Sequence, residues 1–286
     1  MDTTPKSAKS MLIVSDGLFM ESYLVEQFKQ SYDIRLLHVD DLKHVKSLSR
    51  HYDTVIYCPV ASSSVPNISY VGSLCDAITH DAPDDIILIS SYEVYGREAS
   101  QDKIVTESNK PQPDTAFGRD MLDCERQLIR WCDGRDIRLT ILRPGEIVGN
   151  GMTGRIRHMT DKIANGMYIH LPGYDGTIPL IHAEDLAMAA ACLGGKGAML
   201  NINDGCIHRR KDVAEAIAHR LNDKRILTMP RRLVLIIKML SGIVPSWRRL
   251  LAEMSADATF SIASARQLSE GCFKPRDVVK YLNRQY

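Results

Sequence analysis

The 286-residue chain lacks any charge imbalance, since 36 lysines and arginines face 35 aspartates and glutamates. Without an excess of one sign, no overall field favours nucleic acid, an anionic membrane or an acidic tail. We therefore expect a small-molecule ligand or a partner protein. The polar first ten residues show neither the apolar core nor the cleavage site of a secretory signal, so we expect a cytoplasmic protein.

Metal-ligand patterns are also missing. The seven cysteines, at positions 58, 75, 124, 132, 192, 206 and 272, contain no CxxC pair, and the nine histidines show no metal-ligand spacing. We therefore predict no metal site. Because the cysteines are odd in number and lie in apolar segments, we expect buried thiols in a reducing compartment.

No apolar run is long enough to cross a bilayer. The longest, Leu233 to Val244, is interrupted by Lys238, Ser241 and Gly242 and has arginine pairs on both sides, at 231–232 and 248–249. We expect an ordinary amphipathic helix of a smaller lobe. A helix that lies on a membrane surface is the alternative.

The first half of the chain alternates short β-branched runs with helical patterns. The runs lie at 11–14, 33–39, 53–60, 85–90 and 137–144, and the helical patterns at 20–30, 70–80 and 119–131. This order predicts an α/β fold with a Rossmann-like doubly wound parallel sheet and helices on both faces. Ligands of such sheets bind at the carboxyl ends of the strands, where the strand order reverses.

The pattern changes near residue 150. Two glycine-rich stretches, 149–158 and 171–180, precede a helical pattern at 183–193, an apolar run at 198–202 and helical patterns at 209–221, 231–242 and 246–254. We predict a nucleotide-binding-type domain at 11–150, to which 179–205 returns. Residues 151–178 and 206–286 are expected to form a smaller, mostly helical substrate-type lobe.

Four landmarks occur in order: ISSYEVYG (89–96), LRPGEIVGNG (142–151), PLIHAEDLAMA (179–189) and FKPR (273–276). Through them the chain resembles the extended short-chain dehydrogenase/reductase family, in its NAD-dependent nucleotide-sugar epimerase/dehydratase branch. The resemblance implies a nicotinamide cofactor, a nucleotide-sugar substrate and a homodimer paired through helices that flank the active-site segment.

The family's first loop reads TGxxGxxG, and the helix that follows fixes the register of this chain. Ser15, Leu18 and Glu21 then stand at the three glycines. Those glycines allow a tight turn, backbone approach to the pyrophosphate and close helix packing. Leu18 fills the phosphate position, and Glu21 adds a carboxylate at the helix N-terminus that normally attracts phosphate. We expect no cofactor, or NAD if any. A one-residue slip that makes Gly17 the second glycine is the alternative.

Asp40 matches the family's acidic residue at the end of the second strand, which binds the adenosine ribose and favours NAD over NADP. It is equally an ordinary turn former. Only DLKHVKSLSRHY (41–52) separates that strand from the next, too little for the family's helix, third strand and second connection. The adenine side of the site is therefore expected to be trimmed.

The family's catalytic trio is Ser/Thr, Tyr and Lys. Ser91 matches the serine, whereas Phe117 stands at the tyrosine and Met121 at the lysine. Phenylalanine has no proton to exchange, and methionine has no charge that shifts a neighbour's pKa. Atypical relatives lack the same pair. Rescue by Tyr92 or Tyr95 is the alternative, although no lysine follows either at three or four residues.

On the substrate side, Arg143, Arg155, Arg157 and His182 fall where the family's substrate loops lie, with Arg155 and Arg157 expected in a loop that meets phosphates. Each has an alternative role: Arg143 could pair with a carboxylate under the sheet, His182 could cap a helix, and Arg155 and Arg157 could be solvated. Glu146 is a candidate for acid/base chemistry beside Ser91 and Glu93.

Three hypotheses follow. The first is a degenerate member, a pseudoenzyme in the redox sense, that binds a ligand, serves as a partner subunit or catalyses a non-redox step. The second is an active NAD-dependent epimerase, dehydratase or reductase with altered catalytic residues. The third is a regulatory scaffold whose helical lobe recruits a protein.

Overall fold

The computed structural model describes residues 9–17, 19–45, 47–48, 50–59, 70–96, 104–257 and 259–283, without the side chains of residues 249 and 253. The strands are β1 (Lys9–Ser15), β2 (Tyr32–His38), β3 (Thr54–Cys58), β4 (Asp85–Ile89), β5 (Ile104–Val105), β6 (Arg138–Pro144), β7 (Glu146–Val148), β8 (Ile169–His170), β9 (Leu180–His182), β10 (Met199–Ile202), β11 (Leu227–Thr228) and β12 (Thr259–Phe260). The α-helices are α1 (Phe19–Phe28), α2 (Tyr70–Ile78), α3 (Ala116–Cys132), α4 (Gly154–Ala164), α5 (Ala183–Leu193), α6 (Arg210–Arg220), α7 (Arg231–Leu240), α8 (Pro245–Ser255), α9 (Ala263–Leu268) and α10 (Val278–Leu282). Two 3₁₀ helices span Val39–His44 and Tyr92–Tyr95.

Six parallel strands form the central sheet in the order β10-β6-β4-β3-β1-β2. The chain steps outward from β1 to β2 and then crosses back to β3, so the strand order reverses between β1 and β3. This confirms the predicted Rossmann-like sheet. It also places the carboxyl ends of β1 and β3, at Ser15 and Cys58, at the switch point where such sheets bind ligands.

Successive residues of β1 point to opposite faces, and each face has its own core. Met11 and Ile13 pack with α1 and α5, while Leu12 and Val14 pack with α2 and α3. Both faces are therefore covered by helices, as the nearly continuous apolar runs of the strands require.

Strand β2 forms one edge of the sheet. Between it and β3, the described residues form only the 3₁₀ helix Val39–His44 and irregular turns. The resemblance would place one more strand and its helix beyond β2. Neither is found among these residues. The trimming of the adenine side of the site stays a prediction.

The C-terminal part is built on a separate core shared by α4, α6 and α10. It also contains the two-residue ladder of β8 with β11. Segment 199–202 returns to the central sheet as β10, next to β6. The exact domain boundaries near 150 and 206 stay a prediction.

Helix α4 corrects one expectation. Arg155 and Arg157, with His158, were expected in a glycine-rich loop, but all three lie on this helix. Ile156, Met159 and Ile163 recur at helical spacing and are buried in the core of the lobe. This apolar stripe decides the local structure despite the glycines before it.

Helices α7 and α8 form where the sequence predicts them, within two residues at each end. Their packing is unusual, because Val234 is the buried residue of α7 while most of its large apolar side chains are exposed. No described helix is long and apolar enough to span a bilayer.

The expectation of seven thiols is wrong for one pair. Cys192, near the end of α5, is bonded to Cys272, which follows α9, across 80 residues of sequence. The two α-carbons lie 6.0 Å apart, within the range for disulfides. A contact this distant in sequence leaves no local signal. Of the other five cysteines, Cys206 is partly exposed and the rest are buried thiols.

Candidate functional site

A carboxylate of the chain itself lies beside the loop that follows β1. The Ser15 hydroxyl donates a hydrogen bond to the Glu21 carboxylate, which lies in the first turn of α1. The Ser15 oxygen in turn accepts from the backbone N–H of Gly17. The partial positive charge of this helix end is thus opposed by Glu21, a side chain of the same chain. Leu18 lies outside the described residues.

A histidine that the sequence reasoning missed covers the same loop. His38, the last residue of β2, accepts from the Asp40 N–H through Nδ1 at 3.2 Å, so its Nε2 carries the proton toward the Asp16 carbonyl at 3.0 Å. A Cβ on Gly17, whose φ is +69°, would meet the His38 ring at 3.3 Å. The imidazole therefore fills the space beside Gly17 that the loop would need in order to shift by one residue.

Asp40 lies in the first turn of the 3₁₀ helix Val39–His44. Its carboxylate lies 3.7 Å from His38 Nδ1, and it hydrogen-bonds Tyr70, whose pKa is raised by burial and by this carboxylate. The group that would hold an adenosine ribose is thus engaged within the chain. Together with Glu21 and His38, it makes these residues a poor fit to a dinucleotide.

The two residues predicted to stand at the family's tyrosine and lysine, Phe117 and Met121, are apolar and packed. Met121 is fully buried in a cluster with Val94, Tyr95 and Phe260, and Phe117 packs against that cluster. Thr115 starts the helix by accepting from the Gly118 N–H at 2.9 Å. A Cβ on Gly118 would meet the Glu93 carbonyl at 2.4 Å, so a glycine is needed where α3 meets the second 3₁₀ helix.

Ser91 is buried at the end of β4. Its hydroxyl oxygen accepts from the Glu93 N–H at 3.2 Å and caps the 3₁₀ helix Tyr92–Tyr95. The retained serine thus has a local structural role in this arrangement.

A cavity of about 600 Å³ opens beside the start of α3, within the usual size of small-molecule sites. Its polar wall is a connected network. Tyr92 donates to Glu146 at 2.8 Å, and Arg155 donates to the Tyr92 oxygen at 2.9 Å and pairs with Glu93 at 2.9 Å. Thr115 donates to the same Glu93 oxygen, Oε2, at 2.7 Å. Among the sequence candidates, Glu146 and Arg155 are thereby brought together.

Burial sets the protonation of this wall. Burial raises the pKa of the Glu93 carboxyl, while Arg155 acts in the opposite direction and Glu146 adds to the rise. Burial also raises the pKa of Tyr92 well above its ordinary value, with a further contribution from Glu146. Tyr92 is therefore a neutral hydroxyl at physiological pH, and the Glu93 carboxyl takes up a proton more readily than an ordinary glutamate does.

The cavity also contains cations away from this network. Arg119 of α3 and Arg210 at the start of α6 line it together with Arg155. Neither Arg119 nor Arg210 was singled out in the sequence, because isolated arginines on helices usually face solvent.

Three other candidates lie elsewhere. Arg143 is buried and paired through two hydrogen bonds with Glu125, its guanidinium 4.8 Å from the centre of the Tyr95 ring. Arg157 pairs with Asp161 on the exposed side of α4. His182 accepts from the Glu184 N–H at 3.3 Å and caps α5. For each of these, the geometry matches the alternative role given above.

The spacing of the histidines in the sequence did not predict a second polar cluster. The side chains of Asp204, Cys206, His208 and Asp277 place their ligand-type atoms within 4.8 Å of one another. Asp204 accepts from Nε2 of His208 at 2.6 Å and from the Val278 N–H at 3.0 Å. The cluster thus joins the loop after β10 to the start of α10 by internal hydrogen bonds.

Comparison with known proteins gives a family model that matches part of the chain, and a fold. The model of the NAD dependent epimerase/dehydratase family matches residues 61–202. No curated protein sequence matches the chain.

Solved structures resemble the chain over nearly its whole length. UDP-glucose 4-epimerase of Thermotoga maritima, solved with UDP-glucose, superposes with a TM-score of 0.73 at 14% identity, covering 96% of each chain. UDP-N-acetylglucosamine 4-epimerase of Bacillus cereus gives 0.69 at 16%, again over 96% of each. RMD of Pseudomonas aeruginosa, complexed with NADPH, gives 0.70 at 16%, covering 95% of this chain and 96% of that one. At these identities the likeness establishes the fold.

Proposed function

We propose that the chain is a member of the NAD dependent epimerase/dehydratase family, whose model matches residues 61–202, and that it keeps the sugar-binding side of this fold without the hydride-and-proton chemistry. It would bind a nucleotide-sugar-type ligand in the 600 Å³ cavity. Its role is then ligand binding, service as a partner subunit or a non-redox step in a biosynthetic pathway.

The observation that carries the proposal is the packing at Phe117 and Met121. Both positions belong to an apolar cluster, and Met121 has no exposed surface. A proton donor activated by a neighbouring cation has no equivalent there. The loop residues support the same conclusion, because Glu21 and the His38 ring oppose a bound pyrophosphate by charge and by bulk.

The cavity suits a sugar that carries phosphate. Arg119, Arg155 and Arg210 offer donors for phosphate oxygens, and guanidinium groups bind phosphate in paired hydrogen bonds. Glu93 and Glu146 accept hydrogen bonds from sugar hydroxyls. Glu93, with its raised pKa, could also exchange a proton with such a hydroxyl.

The test is calorimetric titration with UDP-glucose, UDP-N-acetylglucosamine and dTDP-glucose, and separately with NAD⁺, NADH, NADP⁺ and NADPH. We expect binding of at least one nucleotide sugar and none of the dinucleotides. Arg155→Ala should weaken nucleotide-sugar binding about tenfold or more, because a hydrogen bond to a charged group is lost. Arg157→Ala, two residues away on the exposed side of α4, is the matched control and should bind normally. Micromolar binding of a dinucleotide, or equal losses in both variants, would overturn the proposal.

A second candidate is an active NAD-dependent enzyme in which Tyr92 replaces the missing tyrosine. Its support is that the Tyr92 hydroxyl lies in the cavity, bonded to Glu146 and Arg155. The raised pKa of Tyr92 makes it a poor base at neutral pH. This candidate requires cofactor-dependent turnover that both Tyr92→Phe and Ser91→Ala abolish.

A further inference from the structure

We propose that the hairpin formed by α7 and α8 docks on an anionic lipid surface. The first observation is its charge. Residues 231–255 contain five lysines and arginines and one glutamate, a net charge of +4, so the rest of the chain has 31 cations against 34 carboxylates, a net charge of −3. The near-neutral total therefore conceals a cationic segment on an otherwise acidic protein.

The second observation is the apolar face that this segment presents. Leu235, Ile236 and Met239 share one side of α7 at helical spacing and are exposed. Ile243, at the turn between the two helices, is 79% exposed, and Met239 is 72% exposed. In α8, Trp247 and Leu250 are also exposed, three residues apart. Single exposed apolar residues are ordinary, but a contiguous set of this kind marks an interaction surface.

The hairpin is fixed to the body by its other side. Val234 and Leu251 are buried with Leu171 in a small apolar cluster. The face with Leu235 and Met239 therefore points away from the part of the chain that the structure describes.

The combination of apolar and cationic groups indicates that a lipid surface covers this face. Apolar side chains that enter the headgroup boundary, with a tryptophan and basic residues around them, are typical of helices that lie in a bilayer interface. A second copy of this chain is a poor occupant, since a two-fold interface would bring two equally cationic segments together. Both helices are far too short to span the bilayer, so the hairpin would lie on it.

Docking would also fix the cavity relative to the lipid. The Met254 carbonyl in α8 accepts from the Gly176 N–H at 2.8 Å, and Ala256, just beyond the helix, lines the cavity. The cavity wall and the hairpin thus share one connected segment.

The experiment is co-sedimentation of the full chain with vesicles of phosphatidylcholine alone and with vesicles that contain phosphatidylglycerol. We expect the protein to sediment with the anionic vesicles and to be released as salt increases, because exposed charges are screened. The paired variant Met239→Asp/Ile243→Asp should bind about tenfold or more weakly. Arg231→Glu/Arg232→Glu should lose the preference for anionic lipid.

The matched control is Ile129→Asp, which places a carboxylate at an exposed apolar residue of α3 and should bind like the unchanged protein. Thermal unfolding of each variant checks that the fold is kept, and light scattering reports the oligomeric state. Equal sedimentation of Met239→Asp/Ile243→Asp and Ile129→Asp would overturn the proposal. So would a dimer that Met239→Asp dissociates while no vesicle is bound.

Discussion

The buried pair of Arg143 and Glu125 offers the strongest stability prediction. Two guanidinium nitrogens donate to the two carboxylate oxygens at 2.9 and 2.6 Å, and each side chain is 1% exposed. Ser90 donates to the same carboxylate at 2.6 Å. Removing the carboxylate in Glu125→Ala leaves an uncompensated guanidinium in the core, which costs about 3–5 kcal/mol.

The two partners are expected to be strongly coupled. Replacing both, in Arg143→Met/Glu125→Leu, removes the buried charges together and should destabilise far less than Glu125→Ala, because apolar pairs of similar volume often substitute well. Urea unfolding followed by circular dichroism gives the free energy of unfolding for each variant, and the double-mutant cycle isolates the pair.

Either of two results would contradict a strongly coupled buried pair. One is a loss below about 1 kcal/mol in Glu125→Ala, the size expected of an exposed ion pair. The other is a double variant whose loss equals the sum of the single ones. If instead Arg143 binds substrate, the double variant should keep its stability and lose nucleotide-sugar binding.

The remaining predictions concern Met121, His182 and the disulfide. Met121→Lys buries an amine, whose pKa in the folded chain then falls below the usual value of about 10.4. The loss in Tm relative to Met121→Leu should therefore shrink as pH rises from 7 toward 10. A loss independent of pH would contradict this. Burial and Arg276 lower the pKa of His182, so the unfolded chain binds the extra proton and stability should fall below about pH 6.5. His182→Asn, which can still cap α5, should flatten Tm between pH 7 and 5, and an unchanged pH profile would refute the assignment. Reducing the Cys192–Cys272 bond should lower the free energy of unfolding by about 4.5 kcal/mol, because the bond closes an 80-residue loop. Thiol titration of the unfolded chain should give five thiols before reduction and seven after. Seven thiols before reduction would contradict the bond.

The central sheet could be predicted because its signals are local. The β-branched runs became β1, β2, β3, β4 and β6, and the apolar run at 198–202 became β10. Among the described residues no strand lies between β2 and β3, as expected from chain length, since segment 41–52 has no room for one.

The site was harder to predict, because its geometry depends on contacts between distant segments. Arg155 contacts both Glu146 and Tyr92, and Tyr92 is 63 residues away in sequence. No local pattern around Arg155 predicts these contacts. The His38 ring over Gly17 is a contact between two strand ends, which a loop motif cannot show. Arg155 was also assigned to a loop because the glycines before it outweighed the apolar stripe of α4.

By the proposed function, the chain keeps the sugar side of the cleft and has lost the dinucleotide chemistry. Two parallel calorimetric titrations of the purified chain, one with NAD⁺ and one with UDP-glucose, test this most directly. We expect a saturable heat for UDP-glucose, reduced in Arg155→Ala, and no heat for NAD⁺. Saturable NAD⁺ binding in the micromolar range, with Glu21 and His38 in place, would contradict it.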